Sequence, residues 1–297
     1  MSIDDLVETV VLSLPEAQAR QAHIADHFAA VGIRSYRFHE ATPAASPLVA
    51  AHYRLGKVAG FPPCFRCGRT SCQCANNILV PAQVANFLSF MQLWRSLPRD
   101  PQKLFLICED DVLFFPGAVD RLAEFLTAFA VPQQPLLLRL SKAGAPTDAR
   151  VDGPLSTSAQ RRMSNPAYIV NGAMAARLAH QSDSVTTTSD IWLHVIQAAD
   201  PAVQARTLEP CLATELSNNK EWARFESSIH PKGINPEDQA RKARHICRVD
   251  TPVEYDRLRN HWEGAAGPEA VELSRVPAVP DALHAGGGAV EKIKENS

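Results

Sequence analysis

Three consecutive carboxylates, Glu109, Asp110 and Asp111, close the apolar run Leu104 to Cys108 and form the densest negative charge in the chain. In an extended segment side chains alternate, so Glu109 and Asp111 share one side while Asp110 faces the other. Carboxylates that converge repel one another unless a cation sits between them. Hard oxygen ligands suit Mg2+ or Mn2+, which keep several waters and are completed by a substrate's phosphates. The triplet therefore suits chemistry on a nucleotide or nucleotide sugar. The plainer alternative is that the acids solvate a strand end or favour the N-terminus of the next helix.

A second group with chemical potential is Cys64, Cys67, Cys72 and Cys74, spaced C-x2-C-x4-C-x-C. A C-x2-C turn is the usual half of a tetrahedral zinc site, and four thiolates with no open position predict structural Zn2+; reduced thiols or another cluster are the alternatives. The stretch from Thr42 to Ala75 is interrupted by Pro43, Pro47, Pro62 and Pro63 and is long for a loop inside a compact domain. Zinc could supply its ordering free energy, and the loop is expected beside the site, shaping acceptor entry. His23 and His27, one helical turn apart without a further ligand, read as a surface pair. Cys108 reads as a small buried residue.

The elements that must position these groups alternate. Thr9 to Leu14 reads as a strand, followed by a helix reaching Gly32 and a second strand from Ser35 to His39. A short helix is expected around Ala50 to Tyr53. From Pro81, Val84, Phe87, Leu88, Met91 and Trp94 fall at helical spacing and define a buried face. Leu104 to Cys108 is the continuous apolar run of a central strand covered on both faces. Pro116 suits the first turn of a helix whose face includes Val119, Leu122, Leu126 and Phe129. Leu136 to Leu140 and Ala167 to Val170 read as strands, then a helix from Gly172 to His180. A further helix follows, capped by Ser189 or Asp190. This order predicts an α/β fold with an open, mostly parallel sheet flanked by helices and interrupted by the cysteine-rich insertion. Ligands of such sheets bind outside the carboxyl ends of the strands, where the acidic triplet would emerge.

The 297 residues are 45% hydrophobic, enough for a core of ordinary size. Thirty basic against 32 acidic residues leave a formal charge of -2, which gives no general attraction for nucleic acid or an anionic membrane. Arg54, Lys57, Arg66 and Arg69 surround the cysteines without the aromatic interleaving of a single-strand binder. No apolar run approaches the ~20 residues of a membrane span. The two aspartates of MSIDDLVETVVLSLP oppose a signal peptide, so a cytoplasmic location is expected, with peripheral association open. The domain is expected to span 1–266, with 42–80 as the insertion. Residues 267–297, with their Pro-Ala-Val-Pro and triple-glycine segments, read as a flexible tail.

Four blocks in order, ThrValValLeuSerLeuPro with its helix, AlaGlnValAlaAsnPheLeuSerPheMetGlnLeuTrp, LeuPheLeuIleCysGluAspAspVal and AsnProAlaTyrIleValAsnGlyAla, resemble those of glycosyltransferase family 25. That family includes bacterial lipo-oligosaccharide and collagen galactosyltransferases. The resemblance runs from about Val10 to Leu216. It implies a GT-A-like fold and transfer of a hexose, galactose or glucose, from a UDP-sugar to a hydroxyl acceptor, as in lipopolysaccharide biosynthesis. It also implies a divalent cation, commonly manganese, held by Asp111 with help from Glu109 near Asp110, while Tyr168 and Asn171 border the donor pocket. Tyr168 suits a core position equally. Asp190, which resembles the aspartate of the family's Pro-Val-Asp segment, is the candidate base for the acceptor hydroxyl; as a helix N-cap it would need no such role. Arg139 and Lys142 could meet diphosphate or acceptor charge, or simply be solvated. Many bacterial members carry Gly-Glu-Ile-Gly-Cys-x-x-Ser-His before the central strand. ValProAlaGlnValAlaAsnPheLeuSerPhe stands there in this chain, without that cysteine and histidine, so the resemblance does not identify which hydroxyl compound is the acceptor. The competing reading is a catalytically inactive, zinc-stapled module on the same fold that binds carbohydrate or protein.

Overall fold

The computed structural model describes residues 1–55, 57–58, 79–141, 149–159, 166–179, 184–217 and 225. Cys64, Cys67, Cys72, Cys74, Lys142 and the 267–297 tail lie outside these residues.

The chain opens with strand β1 (Glu8–Ser13), helix α1 (Gln18–Val31) and strand β2 (Tyr36–Glu40). Gly32, with φ 89°, ends α1 in the left-handed conformation that favours glycine at a helix terminus. Helices α2 (Pro47–Arg54) and α3 (Pro81–Ser96) follow, each with proline in its first turn, where the missing N–H costs nothing. Next come β3 (Leu104–Glu109), the short β4 (Val112–Phe114), α4 (Ala118–Ala128) and β5 (Leu136–Arg139). The order finishes with β6 (Ser156–Ser158), β7 (Ala167–Asn171), α5 (Gly172–Ala179), α6 (Ser189–Ala199), β8 (Gln204–Glu209) and β9 (Ala213–Glu215). Pro116 lies ahead of α4, which starts after Gly117; the expected proline at its first turn is corrected by two residues.

Seven strands form one open sheet in the order β2-β1-β3-β7-β5-β8-β6. β1 is parallel to β2 and to β3, and β5 is parallel to β8, whereas β7 is antiparallel to both β3 and β5 and β6 is antiparallel to β8. This is the expected α/β architecture with a mostly parallel sheet. β4 and β9 form a separate antiparallel ribbon.

Alternation along the strands divides the core. Val10, Leu12, Phe105, Ile107, Tyr168 and Val170 pack on one face beneath α2, α3, α5 and α6. Val11, Leu104, Leu106, Cys108, Ala167 and Ile169 pack on the other beneath α1 and α4. β3 is therefore covered on both faces, which explains its uninterrupted apolar sequence. Each fully buried aromatic of these layers, Phe28, Phe87 and Phe105 among them, is worth about 1.5–3 kcal/mol of transfer free energy.

Candidate functional site

β1 leads to β2 on one side while β3 lies on its other side, so the carboxyl ends of β1 and β3 flank a point where the strand order reverses. Open α/β sheets place their ligand crevice there. Ser13 closes β1 and Glu109 closes β3 at this point, and the Ser13 hydroxyl donates to Asp110 Oδ2 at 2.8 Å across the gap. Asp110 and Asp111 form the turn between β3 and β4.

The parity of β3 sends Glu109 to the face of Phe105 and Ile107, towards α3 and α6. Asp110 goes to the face of α1, where Arg20 Nη1 donates to its Oδ1 at 2.7 Å. The opposite facing of Glu109 and Asp110 follows the alternation expected of an extended chain. Asp111 departs from it, because the turn brings its Oδ2 within 3.7 Å of the same Arg20 nitrogen. Asp111 is 2% exposed, and its Oδ1 is buried with no hydrogen-bond partner. Burial raises the Asp111 pKa and Asp110 adds to this, against the lowering effects of Ser217 and Arg20. Glu109 is pushed well above the usual carboxylate range by burial and then by the charges of Asp111, Glu215, Asp110 and Asp190. Burial would lower the Arg20 pKa, but the charges of Asp110, Asp111 and Glu109 outweigh it and raise it.

Glu215 is buried and lies opposite Val112 in the β4–β9 ribbon. Next to it, the Leu216 N–H donates to the Asp111 carbonyl at 2.9 Å. The ribbon is fixed to α1 by two imidazoles. His23 Nε2 lies 3.0 Å from the Val112 carbonyl, and His27 Nε2 accepts from the Phe114 N–H at 2.8 Å. The rings stack with centroids 5.4 Å apart. His23 is 5% exposed, so the expectation of a solvated surface pair is corrected: the helical spacing was right, but the face it defines packs on β4.

On the other face, Phe90, Glu109, Tyr168, Ser189, Asp190 and Leu193 line a small cleft between α3 and α6. Asp190 sits half-buried in the first turn of α6, and its Oδ1 accepts a short hydrogen bond from the Thr188 hydroxyl. Thr188, and neither Ser189 nor Asp190, occupies the N-cap position, so the capping expectation is corrected by one or two residues. The Ser189 hydroxyl instead donates to Asn86 Oδ1 at 2.7 Å, tying α6 to α3. Tyr168 both packs in the core and lines the cleft; its hydroxyl accepts from Trp94 Nε1 at 3.1 Å, and burial raises its pKa far above the ordinary value.

No protein-family model matches the chain, and no curated protein matches it. Among solved structures it is similar to a glycosyltransferase involved in the glycosylation of the major capsid of PBCV-1, at 10% identity and a TM-score of 0.34, covering 82% of this chain and 99% of that chain. The architecture rests on the strand pairing described above.

Two expected residues lie elsewhere. Because β7 runs antiparallel to β3, its last residue, Asn171, pairs with Leu104 at the far end of the sheet from Glu109. Its Nδ2 donates to the carbonyls of Pro101, Pro132 and Gln134, and its Oδ1 accepts from the N–H groups of Leu136 and Met174. The amide is fully engaged in tying loops together, which corrects its assignment to the pocket border. Arg139 is buried, donating from Nη2 to His194 Nδ1 at 3.2 Å and Gln197 Oε1 at 2.9 Å on α6; it is not solvated. The cysteine-rich stretch is anchored on both sides by described residues. Val58 bridges to Val185, four residues before Ser189, and Leu79 is buried in the same cluster as α6.

Among the described residues, no three Asp, Glu, His or Cys side chains converge closely enough to grip one ion. The donor chemistry fits a hard divalent cation all the same. Asp111 offers a buried, unpartnered oxygen, and both it and Glu109 carry raised pKa values that a nearby positive charge would relieve. Among the described residues, no helix is long and apolar enough to cross a membrane.

Proposed function

We propose that the chain is a metal-dependent glycosyltransferase that moves a hexose, galactose or glucose, from a UDP-sugar to a hydroxyl acceptor in cell-surface glycan synthesis. The observation that supports this most is the acidic turn at the β1/β3 crevice with Asp190 on the opposite wall of the adjoining cleft. The order of sequence blocks resembling glycosyltransferase family 25, with its GT-A-like fold, agrees with it.

In this reading Asp111, with Glu109, holds the divalent cation, Mn2+ or Mg2+. That ion, when bound, supplies the charge that stabilises a departing diphosphate. Asp190 takes the proton of the acceptor hydroxyl, and its bond from Thr188 fixes the carboxylate for that task. Phe90, Tyr168 and Leu193 give the small cleft beside Asp190 an apolar wall that limits water at that carboxylate. Cys64, Cys67, Cys72 and Cys74 hold structural Zn2+ in an insertion flanked by Val58, which bridges to Val185, and Leu79, whose carbonyl accepts from the Tyr53 hydroxyl on α2.

The test is donor hydrolysis and transfer across a panel of nucleotide sugars, with and without manganese. Turnover of UDP-galactose or UDP-glucose that disappears without metal and in Asp111→Ala is expected. Donor binding with no turnover under any metal condition would point to the inactive binding module instead. Metal analysis of reduced protein should find about one zinc per chain; none would remove the zinc assignment.

A further inference from the structure

We propose that Arg20 is the intramolecular competitor of the divalent cation at the acidic turn and sets how tightly the turn takes that ion, an inference that rests on the metal-dependent reading above. Arg20 comes from the first turns of α1, a segment whose sequence gives no sign of a role at the site. Its Nη1 is shared unequally, at 2.7 Å from Asp110 Oδ1 and 3.7 Å from Asp111 Oδ2. The first is a charge-assisted hydrogen bond; the second is too long for one and acts as charge alone.

That inequality divides the two aspartates. Asp110 has one oxygen held by Arg20 and the other by Ser13, so it is the fixed anchor of the pair. Asp111 has Oδ2 facing the guanidinium at a distance, Ser217 as a hydrogen-bonding neighbour, and Oδ1 buried without a partner, so Oδ1 is the oxygen with capacity left for a ligand. A guanidinium keeps its proton at any working pH. Its positive charge therefore stands permanently beside the position a cation would take, and the two must repel. The centroid of the Phe225 ring lies 5.4 Å from the guanidinium carbon, so Arg20 makes a cation–π contact in addition to its pairing with the turn.

The experiment measures manganese affinity of the full chain without nucleotide or turnover, by calorimetry or by loss of the free-ion electron paramagnetic resonance signal. Arg20→Met should bind Mn2+ at least tenfold more tightly than the wild type, and Arg20→Lys, which keeps the charge, should stay within about threefold. Adding Asp111→Asn to Arg20→Met should abolish the gain. If Arg20→Met does not fold, Arg20→Gln, which keeps a donor for Asp110 without the charge, is judged by the same criterion. Wild-type binding with no tightening in a folded, uncharged variant overturns the competitor role alone. Absence of binding in the wild type and in every variant overturns the metal-dependent reading and this inference with it.

Discussion

His27 Nε2 accepts a hydrogen bond from the backbone N–H of Phe114 at 2.8 Å, so the strand that leaves the acidic turn is held by an imidazole nitrogen that must carry no proton. Burial, and then the neighbouring His23, lower the His27 pKa from 6.5 to about 4.

Acid should loosen this latch. A lowered folded-state pKa means that the unfolded chain takes up the proton first, so the contribution is complete above pH 6.5 and falls away as pH drops towards 4. The loss is at most about 3 kcal/mol, less where solvent reaches the ring. Glu109 and Asp111 act in the opposite sense, since their raised pKa values relieve repulsion as they protonate. The comparison is therefore with His27→Gln, which can still accept from Phe114 but does not titrate. Urea unfolding at pH 7, 5.5 and 4.5 should show the wild type losing more stability than the variant at each step down.

The acidic turn should trade stability for function. Glu109→Gln removes a carboxylate that is costly to ionise, so at pH 7 thermal unfolding of the metal-free protein should shift upward, by about 1 kcal/mol or more. Transfer should fall at least about a hundredfold, as for loss of a residue that acts in the transition state. A variant both less stable and fully active would contradict the burial and charge repulsion described around Glu109.

For Asp190, the geometry separates chemistry from folding. It does not occupy the N-cap position, so Asp190→Asn should cost no more than about 1 kcal/mol of stability. kcat should drop about 10²–10⁴-fold, with the donor KM nearly unchanged. A comparable loss in donor affinity would make Asp190 a binding residue instead of the base.

The far end of the sheet offers the converse test. Asn171→Ala would strand the carbonyls of Pro101, Pro132 and Gln134 and the N–H groups of Leu136 and Met174, and should destabilise by about 2–4 kcal/mol. Gly172→Ala should be similarly severe, because a Cβ there would stand 2.3 Å from the Asp100 carbonyl oxygen. Activity per folded molecule should be unchanged in the Asn171 variant, as measured against active-site concentration below its unfolding midpoint.

The contrast between Tyr168 and Asn171 shows what could be read from the sequence. β1, β3, α3 and the end of α1 carry local signals: apolar runs, a helical stripe and Gly32 in the left-handed conformation. Strand direction has no such signal. Antiparallel β7 turns a block that reads as one motif end over end, leaving Tyr168 at the cleft and carrying Asn171 away. β8 was hidden because Gln204–Glu209 alternates exposed polar and buried residues with few of the usual strand formers, and β4 because it has only three residues. Arg20 and Glu215 carry no local pattern at all; their places depend on pairings with residues about a hundred positions away.

The bond from Ser13 to Asp110 closes a separation of 97 residues, and Glu215 joins from farther still. A chain emerging from the ribosome can therefore form β1, α1 and β3 well before its acidic cluster is complete. Strand β9 is among the last described elements to appear, and it supplies both Glu215 and the start of the segment that binds Asp111. The ribbon beside Asp111 is thus completed only when most of the sheet can assemble, so partly synthesised chains would carry the acidic triplet without Glu215 beside it.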